Sequence, residues 1–226
     1  SRHGCECTGL LGAAGFGTGA FLCPMEKRLG GNGPVLQDGR LSESTVALLH
    51  AVSGVPPELL RAARIRPSGS NWLHAPWYAY RRGGALTIGR TIWFTGIWFS
   101  PEGYGDGSLG SLRKWLLHLA HEVGHLAQAE RFGHSLLSRF RYVATFALQY
   151  TTRLLLFKRD PHDCSLEREA DTGRAVLQEL LADEGSSRQL LAAVQRNDVH
   201  AVLAWNKARE PLIAALSAGY GQDRQA

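Results

Sequence analysis

The sequence predicts a mostly helical α+β fold in which a small β-sheet packs on one central helix. Two observations predict this fold class. Apolar residues recur three and four positions apart through most of the chain, which is the spacing of one face of an α-helix. Only the stretch 85–94 has enough β-branched and aromatic residues to predict a strand of good length. A hydrophobic content of 44% over 226 residues is ordinary for a globular protein with one core.

By composition, the chain divides into three parts. Residues 1–40 are rich in glycine and are predicted to form an irregular extension, residues 41–220 a single domain, and residues 221–226 a frayed tail. Within the extension, the uncharged stretch 9–22 falls short of the roughly 20 strongly apolar residues that a membrane span needs. Three of the four cysteines, Cys5, Cys7 and Cys23, lie there too, at a spacing other than C-x-x-C. A structural zinc site would need His3 as its fourth ligand, so we expect free or incidentally paired thiols instead.

Two short helices are predicted to open the domain. The first runs over 42–52, with Ser42 or Ser44 as its N-cap and Gly54 as its end. The second spans 56–63, because proline is tolerated in the first turn of a helix.

Strands are predicted to follow these helices. Residues 64–66 form a short strand and residues 85–94 a longer one, with 93–99 as a candidate continuation across a bulge at Gly96. The aromatic stretch 72–80 is interrupted by proline and is predicted to be a loop or a sheet edge.

The rest of the domain is predicted to be helical. A glycine-rich loop precedes a helix that Ser108 or Ser111 caps and that ends near Gly133. The stretch 135–157 has one apolar stripe with arginines beside it. We interpret it as an amphipathic helix of the core, in preference to a helix that lies on a membrane surface. Further helices are predicted over 165–184, 188–196 and 199–209, with a last turn or two at 211–218.

The sequence His-Glu-Val-Gly-His at 121–125 lies within the predicted central helix. His121 and His125 are one helical turn apart and project from the same face, so both can bind one zinc ion at about 2.0–2.1 Å. Glu122 lies beside the pair, where its carboxylate can take a proton from a water molecule at the metal. This motif also arises by chance. Here, apolar flanks support a buried helix, and Gly124 indicates that another group packs close to it.

A catalytic zinc ion needs a third protein ligand and one open position for water. Gln128 and Arg131 stand where the metzincin pattern has glycine and histidine, so a carboxylate from a second helix is the remaining source. Glu167 and Asp171 are four residues apart and share one helix face. Glu167 can complete the zinc shell, and Asp171 can accept the free ring N–H of a ligand histidine. The alternative interpretation is an ordinary charged surface helix.

The two motifs, H-E-x-x-H at 121–125 and E-x-x-A-D at 167–171, resemble the gluzincin pattern of the HtpX and CAAX prenyl endopeptidase families. The chain is more similar to the extracellular contractile injection system core domain, a minimal metallopeptidase-like domain. In that family a strand like 85–94, a glycine-rich loop and the His-Glu helix precede a segment like 166–171. The resemblance covers residues 60–182.

This resemblance implies that His121, His125 and Glu167 bind the metal and that Glu122 is the catalytic base. It also implies a minimal zincin-like fold in which the strand at 85–94 lies beside the metal and pairs with extended substrate backbone. The chain departs from the family pattern in the insertion between the two motifs, which holds a long arginine-rich helical segment.

Three further residues are candidates for roles near the metal. Tyr142 or His162 is predicted to stabilise the developing oxyanion, and the sequence does not choose between them. His118 lies near the face of His121. We interpret it as a hydrogen-bonded core or rim histidine, in preference to a spare ligand.

The predicted function is zinc-dependent hydrolysis of peptide bonds in a peptide or protein substrate. A second hypothesis is a non-catalytic module of an injection-system or toxin protein, in which the metal only braces two helices. Glu122 argues against this second hypothesis, because a structural site needs no base.

A third hypothesis, a basic helical protein that binds nucleic acid or a membrane, rests on the net charge of +5. The basic residues are scattered and no nucleic-acid motif accompanies them, so we expect neither nucleic acid nor a membrane as a partner. The sequence leaves the compartment open between the cytoplasm and export, and it leaves the oligomeric state open.

Overall fold

The computed structural model describes residues 33–68, 84–133, 135–156 and 164–222. Several predictions fall outside these ranges and concern the extension up to residue 32, the aromatic stretch 72–80, His162 and the tail from residue 223.

Within the described ranges the chain forms seven α-helices and five short strands. The helices are α1 (Glu43–Ser53), α2 (Pro57–Ala62), α3 (Leu109–Phe132), α4 (Leu136–Leu156), α5 (Ser165–Leu180), α6 (Glu184–Gln195) and α7 (Val199–Gln222). The strands are β1 (Leu36–Gln37), β2 (Arg40–Leu41), β3 (Arg64–Pro67), β4 (Ala85–Ile88) and β5 (Thr91–Phe94). The predicted fold class, mostly helical α+β with a small sheet, is confirmed.

The N-termini of two helices follow the predicted capping chemistry. Ser42 caps α1, since its side-chain oxygen accepts the N–H of Thr45 at 3.4 Å, and Gly54 ends the helix with a left-handed φ of 68°. Ser108 caps α3 and accepts the N–H of Ser111 at 3.1 Å. In each case the first of the two predicted candidates is the cap.

The single strand predicted over 85–94 is a β-hairpin instead. β4 and β5 pair antiparallel with Ile88 opposite Thr91, and Gly89, at φ 59°, takes the first position of the two-residue turn. Glycine adopts this φ without strain, so the chain reverses here despite its β-branched flanks. β5 also pairs in parallel with β3, which gives the strand order β3–β5–β4. The predicted bulge is wrong too, because Gly96–Trp98 form a 3₁₀ turn.

The folded unit begins earlier than the predicted boundary at residue 41. β1 and β2 form a second hairpin, in which Asp38 and Gly39 have φ values of 51° and 71°, as a type I′ turn requires. Val35 and Leu36 are buried in the core beside it. Asp-Gly between apolar residues is the sequence signal for this hairpin. The preceding stretch is rich in glycine, so the whole segment up to residue 40 was predicted to be irregular.

Two helix boundaries near the C-terminus also differ from the prediction. α6 begins at Glu184 and not at 188, because the Asp183 side chain accepts the N–H of Ser186 and caps the helix. α7 continues through Pro211, where two separate helices were predicted. Ile213, beyond the proline, packs in the hydrophobic core and holds the second half of the helix in place.

Within the stretch predicted at 135–157, residues Leu136–Leu156 form a helix, but the prediction that this helix belongs to the core is wrong. Tyr142 is the one buried residue among the described side chains of α4, and the large apolar side chains of the opposite face are exposed. Helical spacing identifies an apolar face, but it does not reveal which face meets the rest of the chain.

The core surrounds α3. α5 lies along α3, α1 packs on both helices, and α7 covers α1 and α5. The three-stranded sheet lies on α3 through its edge strand β4. Leu48 of α1, Leu116 of α3 and Leu177 of α5 are fully buried where these helices meet. Because other elements pack on several sides of α3, the side chains of this helix are held in fixed positions.

Candidate metal centre

α3 and α5 approach each other closely at two glycines. A Cβ atom on Gly124 would lie 2.5 Å from the Cα of Ala170, and a Cβ on Gly173 would lie 3.1 Å from the carbonyl oxygen of Ala120. The expectation that another group packs close to Gly124 is confirmed: the group is the backbone of α5. This contact brings the residues of the two sequence motifs to one interface.

Two nitrogens and one oxygen converge at this interface. His121 Nε2 lies 3.2 Å from His125 Nε2 and 3.2 Å from Glu167 Oε2, and His125 Nε2 lies 3.6 Å from the same oxygen. His125 and Glu167 are buried, and His121 is partly buried. Among the described residues, these three form the one group of histidine, cysteine, aspartate and glutamate side chains whose ligand atoms meet in this way.

The other ring nitrogen of each histidine has a partner that orients the ring. Asp171 Oδ1 lies 2.7 Å from His121 Nδ1, and Gln128 Oε1 lies 3.0 Å from His125 Nδ1. The Gln128 amide nitrogen donates to the carbonyl of Leu166 at 2.7 Å, which fixes the direction of the amide. Both acceptors therefore place the ring hydrogen on Nδ1 and leave Nε2 with its lone pair.

The separations match the space that a metal ion takes between its ligands. Ligands placed tetrahedrally at about 2.0–2.1 Å from a zinc ion are about 3.3 Å from one another. When both imidazoles are neutral, their Nε2 lone pairs point toward the Glu167 carboxylate, so three electron-rich atoms face one another. Such an arrangement is favourable only with a cation among them. The triad of His121, His125 and Glu167 can therefore hold a metal ion.

Without a metal ion, the two histidines of the triad bind protons instead. Burial lowers the pKa of His121, but hydrogen bonds to Asp171 and Glu167 outweigh it and raise the pKa to about 9. Burial likewise opposes charge on His125, and the hydrogen bond with Glu167 and the charge of Glu122 raise its pKa overall. Burial raises the pKa of Glu167, but its hydrogen bonds to the two histidines take that pKa far below its usual range. Metal binding displaces these protons, so metal affinity rises with pH.

Glu122 lies beside the triad without belonging to it. The residue is 4% exposed, and its charge raises the pKa values of His121 and His125. Thr87, on the edge strand β4, donates its hydroxyl to Glu122 Oε2 at 2.6 Å and is itself buried. The strand thus fixes one oxygen of the carboxylate and leaves Oε1 for another proton donor.

His118 packs against aromatic rings beside Glu122. Its ring centre lies 4.7 Å from that of Trp98 and 5.8 Å from that of Phe94, and its Nε2 lies 3.9 Å from Glu122 Oε1. Burial lowers the pKa of His118. The structure therefore places this histidine at the rim of the site and not among the ligand atoms.

Of the two candidates for oxyanion stabilisation, Tyr142 is described. It lies on the inner face of α4, with its ring 6.1 Å from that of Phe146, which in turn lies 5.4 Å from the His125 ring. Burial and the charges of Glu122 and Glu167 raise the pKa of Tyr142, so its phenol stays protonated and can donate a hydrogen bond.

Two residues of the site were not predicted. Gln128 stands three positions after His125 on the same helix, so its contact with the ring was available from helical spacing. Thr87 is far from Glu122 in sequence and reaches it only because residues 85–94 fold as a hairpin. No local pattern in the sequence signals that contact.

Comparison of the chain with protein-family models, with curated proteins and with solved structures finds no match. The resemblance to the injection-system core domain and to the endopeptidase families therefore stays a prediction. The function has to be inferred from the residues of the site themselves.

Proposed function

We propose that this protein is a zinc-dependent metallopeptidase that hydrolyses peptide bonds in a peptide or protein substrate, with Glu122 as its general base. One observation carries the proposal. The buried Glu122 carboxylate, oriented by Thr87, lies beside three converging ligand atoms. A site that only braces two helices needs no such carboxylate.

The donor set supports zinc as the metal. Two imidazole nitrogens and one carboxylate oxygen are the ligands of many catalytic zinc sites, which keep a fourth position open. Structural zinc sites are instead closed by four protein ligands, mostly cysteine and histidine. Among the described residues the group that can hold a metal has three members, His121, His125 and Glu167.

Each side chain of the site has one task in this proposal. Zinc, when bound, supplies a Lewis acid for the scissile carbonyl and acidifies a water molecule. Asp171 and Gln128 hold the planes of the two ligand imidazoles. Glu122 accepts a proton from the attacking water at Oε1 and delivers it to the leaving nitrogen, while Thr87 keeps Oε2 in place. Tyr142 and His162 stay the candidates for the oxyanion.

The alternative function is a non-catalytic, metal-stabilised module of an injection-system or toxin protein. The near contact between α3 and α5 at Gly124 favours it, because a metal ion held by both helices would brace this interface.

The test compares zinc content and peptide cleavage in the native chain and in Glu122→Gln, using a mixed peptide library. We expect both proteins to bind one zinc ion, and we expect cleavage by the variant to fall about 10²–10⁴-fold, the usual contribution of a general base. Glu179→Gln, on the exposed face of α5, is the matched control and should cleave like the native chain.

If the native chain and Glu122→Gln both bind zinc and neither cleaves any peptide, the bracing module is the better account. A native chain that binds no zinc contradicts both functions.

A further inference from the structure

The outer face of α4 is an apolar stripe that solvent reaches. Leu137 and Phe140 are each 69% exposed, and Leu148 is 68% exposed. Together with their exposed neighbours these residues lie on one side of the helix, which turns by about 100° per residue, so the stripe runs along a helix about 30 Å long. An exposed apolar surface of this size marks a contact made outside the chain. The other members of the stripe are Leu136, Val143 and Leu155.

The charges of this helix have one sign. α4 contains three arginines and no aspartate or glutamate, and Arg139 and Arg141 are exposed. Two copies of α4 packed face to face would bring like charges together, which disfavours self-association. The charge of the helix is complementary to an anionic surface.

Contrary to the expectation from the sequence that a membrane is not a partner, we propose that α4 docks on the surface of an anionic phospholipid bilayer. In this arrangement Leu137, Phe140 and Leu148 enter the boundary between headgroups and acyl chains, and Arg139 and Arg141 lie at the phosphates. An amphipathic helix with an aromatic and leucine stripe and purely basic charge is the pattern of helices that lie flat in the interface. None of the described helices combines the length and the apolar composition that a membrane span requires.

The opposite side of α4 faces the metal centre. Tyr142 is buried there, and the Phe146 ring lies 5.4 Å from the ring of His125. Docking through the outer face therefore holds the metal centre about one helix diameter, roughly 10 Å, from the bilayer.

The experiment measures flotation of the full chain with vesicles of phosphatidylcholine mixed with phosphatidylserine, and with vesicles of phosphatidylcholine alone. We expect binding to the anionic vesicles that weakens with added salt, and at least tenfold weaker binding to the neutral vesicles, as an order of magnitude. Replacing Leu137, Phe140 and Leu148 together by serine should weaken binding by about a hundredfold or more. Arg139→Gln and Arg141→Gln should each weaken it about fivefold.

The matched control replaces two exposed leucines of α7, Leu203 and Leu212, by serine. It should bind the anionic vesicles like the native chain. Circular dichroism and the melting temperature should show every variant folded.

Two results overturn the proposal. One is a native chain that does not float with anionic vesicles, and the other is a triple serine variant that floats as well as the native chain. If, without vesicle binding, the native chain sediments as a dimer and the triple variant as a monomer, the stripe is an interface between copies.

Discussion

The two helices that pack on α3 after the His-Glu motif are held in opposite ways. α5 meets α3 so closely that a Cβ on Gly124 would overlap the backbone of Ala170, and the interface holds three converging ligand atoms with oriented rings. α4 meets α3 on one face, buries Tyr142, and leaves its larger apolar face to solvent. The interface of α3 with α5 holds side chains in fixed positions, whereas α4 leaves an apolar face exposed to solvent.

This difference matches what the two proposals require of the neighbours of α3. A metal site tolerates little displacement of its ligands, so it is placed where backbones touch and rings are hydrogen-bonded. A docking surface needs exposed side chains. It therefore belongs on a helix whose apolar side chains stay in solvent until a partner covers them. The two regions should therefore respond differently to substitution.

At the α3–α5 interface, the largest expected effect on stability is that of Gly124→Ala. The added Cβ must push apart the backbones of α3 and α5, because Ala170 Cα lies 2.5 Å and its carbonyl oxygen 2.6 Å from that position. We expect the free energy of unfolding to fall by about 3 kcal/mol, the upper range for overpacking, as measured by urea denaturation. Gly110→Ala, in the same helix, should leave stability unchanged or raise it, because its Cβ would meet only the Ser108 hydroxyl oxygen, at an ordinary contact distance of 3.9 Å. A stable Gly124→Ala variant would show that the α3–α5 interface is loose.

A second prediction concerns Gln128→Leu. The variant leaves the Nδ1–H of His125 and the carbonyl of Leu166 without their partner, so the imidazole loses its fixed plane. We expect zinc affinity to fall about 10–100-fold, measured by competition with a chelating indicator. Gln189→Leu, on the exposed face of α6, is the control and should bind zinc like the native chain. Equal affinities would mean that α3 orients the ring without Gln128.

A third prediction concerns pH. In the metal-free protein the pKa of His121 rises from 6.5 to about 9, and that of His125 rises too. A pKa raised by folding stabilises the folded state below 6.5, and this stability is lost as pH rises through about 9. His118, whose pKa is lowered, titrates below this window. We therefore expect the urea midpoint of metal-free protein to fall between pH 6.5 and 9.

His121→Asn should flatten this pH dependence, since it removes a group whose pKa is raised to about 9. If the urea midpoint of the native metal-free chain stays constant or rises between these pH values, the histidines of the metal-free site are not protonated as described.

The smallest expected effect lies on α4. Leu148→Ser should change the free energy of unfolding by less than about 0.5 kcal/mol, because the side chain is already exposed. Leu116→Ala, at a fully buried position of α3, should cost about 2–5 kcal/mol. Melting temperatures of the two variants give the comparison. A large loss for Leu148→Ser would show that the stripe packs within the chain.

The parts of the site that lie within one helix could be predicted from the sequence. The spacing of His121 and His125, and that of Glu167 and Asp171, reports which side chains share a helix face. The structure brings all four together. Gln128 follows the same helical spacing from His125. Its contact with the ring was not predicted, because position 128 was compared only with the metzincin pattern.

Contacts between elements distant in sequence could not be predicted in this way. Thr87 reaches Glu122 only through a hairpin whose turn depends on Gly89. The exposed apolar face of α4 was predicted to lie in the core. An apolar stripe has the same helical periodicity whether it packs within the chain or stays exposed to solvent.

The most direct measurement is a crystal structure of the native chain grown with one equivalent of zinc, with anomalous diffraction recorded at the zinc edge. We predict a single strong peak at about 2.0–2.2 Å from His121 Nε2, His125 Nε2 and Glu167 Oε2. A peak held by other residues, such as Cys5 and Cys7, with none between α3 and α5, would contradict the metal centre and the function proposed from it.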